Sequence, residues 1–172
     1  MSLAKLKKEL NTFDKNNLIE LITELYKKNS AIKEYLDFFV NTNEDKILHR
    51  YRKKIANAFN PTGRYALKLN DAKQAIADFK KTGLPDTMLA DLMLFYAESA
   101  MDFTNTYGDV DEPFYASLAK MYSQALHLLN KEDALEKFRE RALKVMDMSG
   151  NIGWGMDDYI TNTYYQYFYT EE

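Results

Sequence analysis

The sequence predicts an all-α fold in which eight or nine helices form an irregular bundle or a stack of helical hairpins. Apolar residues recur at three- and four-residue intervals along almost the whole chain. Six Gly and three Pro in 172 residues are too few for a turn-rich β-sandwich or barrel. Short connections between helices favour antiparallel packing of neighbouring helices. The sequence has no fixed-period repeat, so a regular helical-repeat array is disfavoured.

Four helices are predicted before residue 60. Their apolar stripes are Leu3, Leu6 and Leu10; Leu18, Leu21, Ile22 and Leu25; Ile32, Tyr35, Leu36 and Phe39; and Ile47 or Leu48, Tyr51, Ile55 and Phe59. Thr12 or Asp14 suits the N-cap of the second helix and Asn43 that of the fourth, because their side-chain oxygens accept unpaired backbone N–H groups.

Pro61 and Gly63 interrupt the helical pattern. Residues 64–69 are the one segment predicted to have an extended alternative. A helix resumes at Asn70 or Asp71 and stops at Gly83; its inward side chains are Ala72, Ala75, Ile76 and Phe79.

Residues 85–105 are apolar on most sides, which is typical of a central, buried helix. Pro113 suits the first turn of the next helix. Three further stripes complete the chain: Phe114, Leu118, Met121, Ala125 and Leu128; Leu135, Phe138, Ala142 and Val145; and Met156, Ile160, Thr163, Tyr164, Tyr167 and Phe168.

Length and composition predict a single domain over residues 1–172, located in the cytoplasm. The chain has no Cys, its N-terminus carries no apolar stretch of the kind found in signal peptides, and its uncharged stretches are too short to span a membrane. Residues 1–81 have a charge balance of +7 and residues 82–172 one of −10. Such halves could complement each other or face two partners, but solvated helix faces explain them more simply.

The residues that carry most enzymatic chemistry are scarce. Without Cys, disulfides, thiolate nucleophiles and Cys-based metal sites are excluded. Neither His49 nor His127 has a ligand partner at helical spacing, so a zinc hydrolase is disfavoured. No phosphate-binding Gly loop or nucleophile elbow occurs. We therefore predict no cofactor and no metal, and favour a non-enzymatic role.

Two loops hold the candidate binding residues. Tyr107, Asp109 and Asp111 belong to a turn with a dense run of carboxylates, for which helix capping is favoured over a Mg²⁺ or Ca²⁺ site. Trp154 lies between Gly153 and Gly155, in a turn predicted to bury this only Trp. Asp157 follows in the first turn of the last helix.

Two other surfaces are candidates for binding. The basic region 50–81 could meet phosphates, and Tyr51 and Tyr65 could stack on bases. However, Tyr51 belongs to an apolar stripe, and a pI near 5.5 disfavours a nucleic-acid binder. The tail 164–169 has more aromatic surface than one helix face can bury, so packing on the domain and self-association are equally favoured.

Three stretches resemble a family of uncharacterised bacterial proteins of unknown function. They are LKLNDAKQAIADFKK at 67–81, FTNTYGD at 103–109 and IGWG at 152–155. The resemblance extends over nearly the whole chain and implies a bacterial, all-helical protein without an assigned activity. Members of the family often have a His after Gly-Trp-Gly, where this chain has Met156-Asp157-Asp158. A His base or His ligand at this position is therefore not required here, which favours a structural or binding role for the motif.

The leading functional hypothesis is a helical module for protein–protein interaction, including self-association. The alternative is a small-ligand or metal-binding domain, or an enzyme, that uses loops 102–112 and 152–158. Its candidate residues are Tyr107, Asp109, Asp111, Trp154 and Asp157. A second alternative is weak nucleic-acid binding through the basic region 50–81.

Overall fold

The computed structural model describes residues 1–41, 43–60, 67–150 and 152–169. Within these ranges the chain forms nine helices and no strand, which confirms the all-α prediction. The helices are α1 Leu3–Leu10, α2 Lys15–Lys28, α3 Ser30–Val40, α4 Glu44–Phe59, α5 Leu69–Lys81, α6 Asp86–Tyr107, α7 Glu112–Lys131, α8 Leu135–Asp147 and α9 Met156–Phe168.

Capping side chains define several helix starts. Of the two proposed caps for α2, Asp14 has the role, and its Oδ1 accepts the N–H of Asn17 at 2.8 Å. Asp111 caps α7 by accepting the N–H of Phe114 at 3.0 Å, and Pro113 lies in the first turn as predicted. These contacts satisfy N–H groups that have no partner inside the helix.

The start of α5 differs slightly from the sequence-based prediction. Residues 64–66 of the predicted extended stretch lie outside the described residues. Leu67 and Lys68 are not helical, and α5 begins at Leu69, one residue before the predicted start. The helix ends at Lys81, and Gly83 follows with a φ of 70°, a left-handed conformation that glycine adopts without steric cost.

Backbone contacts divide the chain into two compact units, Met1–Asn43 and Glu44–Glu172. A single domain over residues 1–172 stays a prediction. In the first unit, α2 and α3 contact each other, and the Tyr26 hydroxyl donates to Asp37 Oδ1 at 2.9 Å. None of the residues of α1, α2 or α3 is buried.

The second unit has an extensive core with α6 at its centre, as predicted. Twelve α6 residues are buried, and this helix contacts α4, α5, α7 and α8, while α9 packs on α7 and α8. Phe59 and Tyr96 meet edge to face at 5.0 Å between ring centroids. The Tyr96 hydroxyl pairs with Ser117 Oγ at 2.7 Å, which offsets the cost of burying both groups.

The tyrosine-rich C-terminal helix divides its aromatic residues between the core and the surface. Tyr164 and Phe168 are buried and stack with ring centroids 4.7 Å apart. Tyr159, Tyr165 and Tyr169 are exposed. Packing on the second unit therefore accounts for part of the aromatic surface, and the rest faces outward.

Candidate functional site

The two candidate loops meet through Asp109 and Trp154. The indole Nε1–H of Trp154 donates to Asp109, with distances of 3.1 Å to Oδ1 and 3.2 Å to Oδ2. Near by, the amide of Asn105 donates to the carbonyl oxygen of Met148 at 3.0 Å. The end of α6 is thus connected to the α8–α9 loop at two points.

Tyr115 supports this contact from the first turns of α7. Its hydroxyl donates to Asp109 Oδ1 at 2.6 Å, and its ring stacks on Trp154 with centroids 6.2 Å apart. The Thr104 hydroxyl lies 2.7 Å from that of Tyr115 and 3.2 Å from the Gly108 carbonyl oxygen. We call Thr104, Asp109, Tyr115 and Trp154 the loop cluster.

The hydrogen bonds of the loop cluster determine its protonation. The bond from Tyr115, followed by that from Trp154, lowers the pKa of Asp109. Burial, and then the Asp109 carboxylate, raises the pKa of Tyr115. At neutral pH the cluster therefore contains a carboxylate and a neutral phenol. A carboxylate with a lowered pKa is a poor general base, because such a base works best with a pKa near the operating pH.

Trp154 itself differs from expectation. The glycines beside it were predicted to allow a turn that buries the ring, but 54% of Trp154 is exposed, so that prediction is wrong. The indole lies at the surface, where its N–H donates to Asp109. Its φ is 61°, in the left-handed region that non-glycine residues adopt at a steric cost.

The other candidate residues lie apart from the loop cluster's hydrogen bonds. Asp111 caps α7. Asp157 accepts two long bonds, from Ser149 Oγ at 3.4 Å and from Thr161 Oγ1 at 3.5 Å. Tyr107 packs on Phe103, with ring centroids 4.9 Å apart. The structure thus joins Asp109 and Trp154 directly, whereas Asp111, Asp157 and Tyr107 have separate contacts.

An ion-pair network joins α4, α6 and α8. Arg52 donates to both oxygens of Asp91, with Nη2 at 2.6 Å from Oδ1 and 2.7 Å from Oδ2. Arg141 binds Glu98 through Nε at 2.7 Å and Nη2 at 2.9 Å, and reaches Asp91 Oδ2 through Nη1 at 3.1 Å. Burial disfavours the charge of Arg141, but the two carboxylates outweigh it and raise the pKa.

Sequence reasoning missed this network. Its only signal was the pair Asp91 and Glu98, two carboxylates seven residues apart, and so on one face of an otherwise apolar helix. The basic partners Arg52 and Arg141 lie 39 and 50 residues from Asp91. No local pattern could have identified them.

The network borders a groove on the outer face of α6, with a volume of about 500 Å³. We call it the α6 groove. Residues of α4, α6 and α8 line it, and they combine aromatic rings with both signs of charge: Ala56, Phe59, Phe95, Glu98, Ser99, Asp102, Phe103, Thr106, Tyr107, Arg141 and Lys144. Of the candidate binding residues, only Tyr107 is among them.

The first unit presents a different kind of surface. Eleven of the seventeen exposed large apolar side chains in the described ranges belong to residues 1–43. Those most exposed on α2 and α3 are Ile19, Ile22, Phe39 and Val40, of which Phe39 is 76% exposed. Exposed apolar patches of this kind are typical of interaction sites.

In the described part of the basic region, Tyr51 is not available for stacking on bases. Tyr51 is 2% exposed and packs edge to face on Phe79, at 5.1 Å between centroids, so its ring cannot stack on a base. Arg52 is bound to Asp91. Tyr65 lies outside the described residues.

Neither a metal centre nor a membrane span is found in the described part of the chain. No three His, Asp or Glu side chains among these residues come together as a metal ion would require. Among the same residues, no helix combines the length and apolarity needed to cross a bilayer.

Comparison with known proteins identifies the family and nothing more specific. The model of a family of unknown function, DUF6155, matches residues 1–168, and the chain belongs to this family. No curated protein and no solved structure matches the chain. The functional argument therefore rests on the chain's own residues.

Proposed function

We propose that this member of a family without an assigned activity is a protein–protein interaction module that pairs with a second copy of itself through residues 1–43. One observation carries the proposal. Three helices rich in apolar side chains occur in this unit, and none of their residues is buried. The self-association surface is centred on Ile19, Ile22, Phe39 and Val40, which we call the N-terminal apolar face.

The size of the unit supports a need for a partner. Chains of about 40 residues seldom bury enough surface to be stable without disulfides, metals or oligomerisation. This chain has no Cys, and no metal cluster occurs in its described part. Oligomerisation is therefore the stabilising route that best fits the composition.

The exposed area is also sufficient for a dimer. At about 180 Å² for a fully exposed large apolar side chain, the exposed fractions in residues 1–43 correspond to about 1,100 Å² of apolar surface per copy. A standard interface buries about 800 Å² per partner. Although not all of these side chains lie on one face, a large fraction of them would provide a stable interface.

The charge of the unit favours a second copy over a charged partner. Residues 1–43 contain seven Lys and six Asp or Glu, so two copies meet with little net repulsion. A nucleic acid would be attracted by a strong positive excess, which this unit lacks.

The mass of the full chain in solution tests the proposal. Size-exclusion chromatography with light scattering should give the mass of two chains rather than 20.1 kDa. Ile22→Glu places a charge within the N-terminal apolar face and should weaken dimerisation by roughly 30-fold or more, as loss of a central interface residue does. Asn16→Glu adds the same charge at an exposed polar position of α2 and should leave the mass unchanged.

A wild-type chain that keeps the mass of one copy at all concentrations contradicts the proposal. In that case another protein, or the rest of the chain, covers the N-terminal apolar face instead of a second copy. A dimer that Ile22→Glu leaves intact contradicts the assignment of the surface. Circular dichroism at 222 nm confirms that each variant is folded.

We also propose a location in the bacterial cytoplasm. The Cys-free composition suits a reducing compartment, and the resemblance described above implies a bacterial source. A non-enzymatic role is supported by the protonation of the loop cluster, where Asp109 is held as a carboxylate by two side-chain donors.

A further inference from the structure

The residues that line the α6 groove belong to α4, α6 and α8, and none of them is part of the N-terminal apolar face. The groove's volume of about 500 Å³ lies within the range of small-molecule sites, about 300–1,000 Å³. Such sites combine apolar walls with a few polar groups that orient the ligand. The chemistry of the lining residues therefore indicates the class of ligand.

Arg141 contributes a guanidinium whose position is fixed. Three of its N–H groups donate to Glu98 and Asp91. Because a guanidinium has five N–H donors, two remain for other acceptors. Arg141 lines the groove and 29% of its side chain is exposed, so a ligand can reach it. A carboxylate is the acceptor whose planar geometry suits these donors.

Asp102 and Lys144 provide charges without an internal partner. Both are exposed and line the groove, and neither has an ion pair or hydrogen bond to another side chain in the described ranges. They also do not pair with each other. Lys144 lies one helical turn beyond Arg141 on α8, and Asp102 one turn beyond Glu98 on α6.

Aromatic rings form the apolar part of the groove. Phe103 lies between Tyr107 and Phe59, with ring centroids 4.9 Å and 6.4 Å away, respectively. Phe95 also lines the groove and lies under the Arg52 guanidinium at 5.8 Å. A flat or bulky apolar group can pack against several of these rings at once.

We infer that the α6 groove binds a small zwitterion with an aromatic or large apolar body, of the size of an apolar amino acid or dipeptide. The ligand carboxylate binds Lys144 and the free donors of Arg141. The ligand ammonium binds Asp102, and the apolar body packs on Phe103 and Tyr107. A phosphorylated ligand fits less well, because Glu98 and Asp102 repel its charge.

Titrations of the full chain with L-phenylalanine, followed by ¹H–¹⁵N NMR, test this inference. Two probes each lack one charge: 3-phenylpropionate has no ammonium and phenethylamine has no carboxylate. We expect shifts of groove amides with L-phenylalanine, and binding at least tenfold weaker for each probe, because a charge-assisted contact is lost.

Single variants should show which charge each residue recognises. Lys144→Met should weaken L-phenylalanine and 3-phenylpropionate about tenfold and leave phenethylamine unchanged. Asp102→Asn should weaken L-phenylalanine and phenethylamine, which carry the ammonium, and leave 3-phenylpropionate unchanged. Lys120→Met removes an exposed cation from α7, away from the groove, and should change none of the three.

Two outcomes overturn the inference. One is the absence of groove shifts with L-phenylalanine, L-leucine and Phe-Phe at about 10 mM, a concentration that would reveal even weak millimolar binding. The other is binding to which Lys144→Met and Asp102→Asn make no difference. Dimerisation does not affect either result, since Ile22→Glu protein should give the same shifts.

Discussion

Asp91→Asn should destabilise the second unit by about 2–3 kcal/mol, a value between those for buried and surface ion pairs. Asp91 is 7% exposed and accepts three hydrogen bonds from Arg52 and one from Arg141. The substitution removes the charge and turns an NH₂ group toward guanidinium donors. A fully buried pair would cost about 3–5 kcal/mol. However, the Arg52 side chain is 37% exposed and can regain water, and Arg141 keeps Glu98.

Urea unfolding followed by fluorescence measures this cost. Trp154 is the only Trp in the chain and lies in the second unit, so its emission reports on that unit. Asp86→Asn is the matched control on the same helix. Asp86 pairs with Lys131 at 3.2 Å, both side chains are more than 40% exposed, and its loss should cost less than about 1 kcal/mol. Equal losses in the two variants, or a loss below about 0.5 kcal/mol for Asp91→Asn, would refute the reasoning.

Two further predictions concern the second unit. Because the pKa of Asp109 is lowered in the folded chain, chiefly by Tyr115, its contact with Trp154 should persist as pH falls to about 4 and be lost only below that. Trp154 emission against pH measures this, and Asp109→Asn should abolish the transition; a transition near neutral pH would contradict it. Leu92→Ala, at a fully buried position of α6, should cost about 2–5 kcal/mol in urea unfolding. Leu143→Ala, at an exposed position of α8, should cost less than about 1 kcal/mol, and equal costs would argue against α6 as the core.

Local signals were sufficient to predict the helices. The apolar character of residues 85–105 identified α6 as central, and Asp14 and Pro113 marked helix starts, because capping and periodicity depend on neighbours within four residues. The boundaries that differ do so by one or two residues, as at Leu69.

Contacts between distant helices could not be predicted in the same way. In the sequence, nothing distinguishes Arg141 from the other basic residues. In the structure it binds Asp91, which lies 50 residues away along the chain. The exposure of α2 and α3 was also unpredictable, because an amphipathic pattern shows that a helix has an apolar face but not what covers it. These two features carry the functional proposals.

The two motifs 103–109 and 152–155 illustrate why sequence alone left their role open. A carboxylate, an aromatic ring and flanking glycines suit a binding pocket and a structural turn equally well. For Asp109 and Trp154 the geometry favours the structural turn, because the Asp109 carboxylate accepts hydrogen bonds from Trp154 and Tyr115. These bonds fasten the α6–α7 turn to the α8–α9 loop and support a left-handed backbone at Trp154. The acceptor capacity that would bind a ligand is thus largely used within the chain. Tyr107 lies in the same motif but lines the α6 groove, so that motif contributes its free aromatic surface to the groove and its carboxylate to the turn.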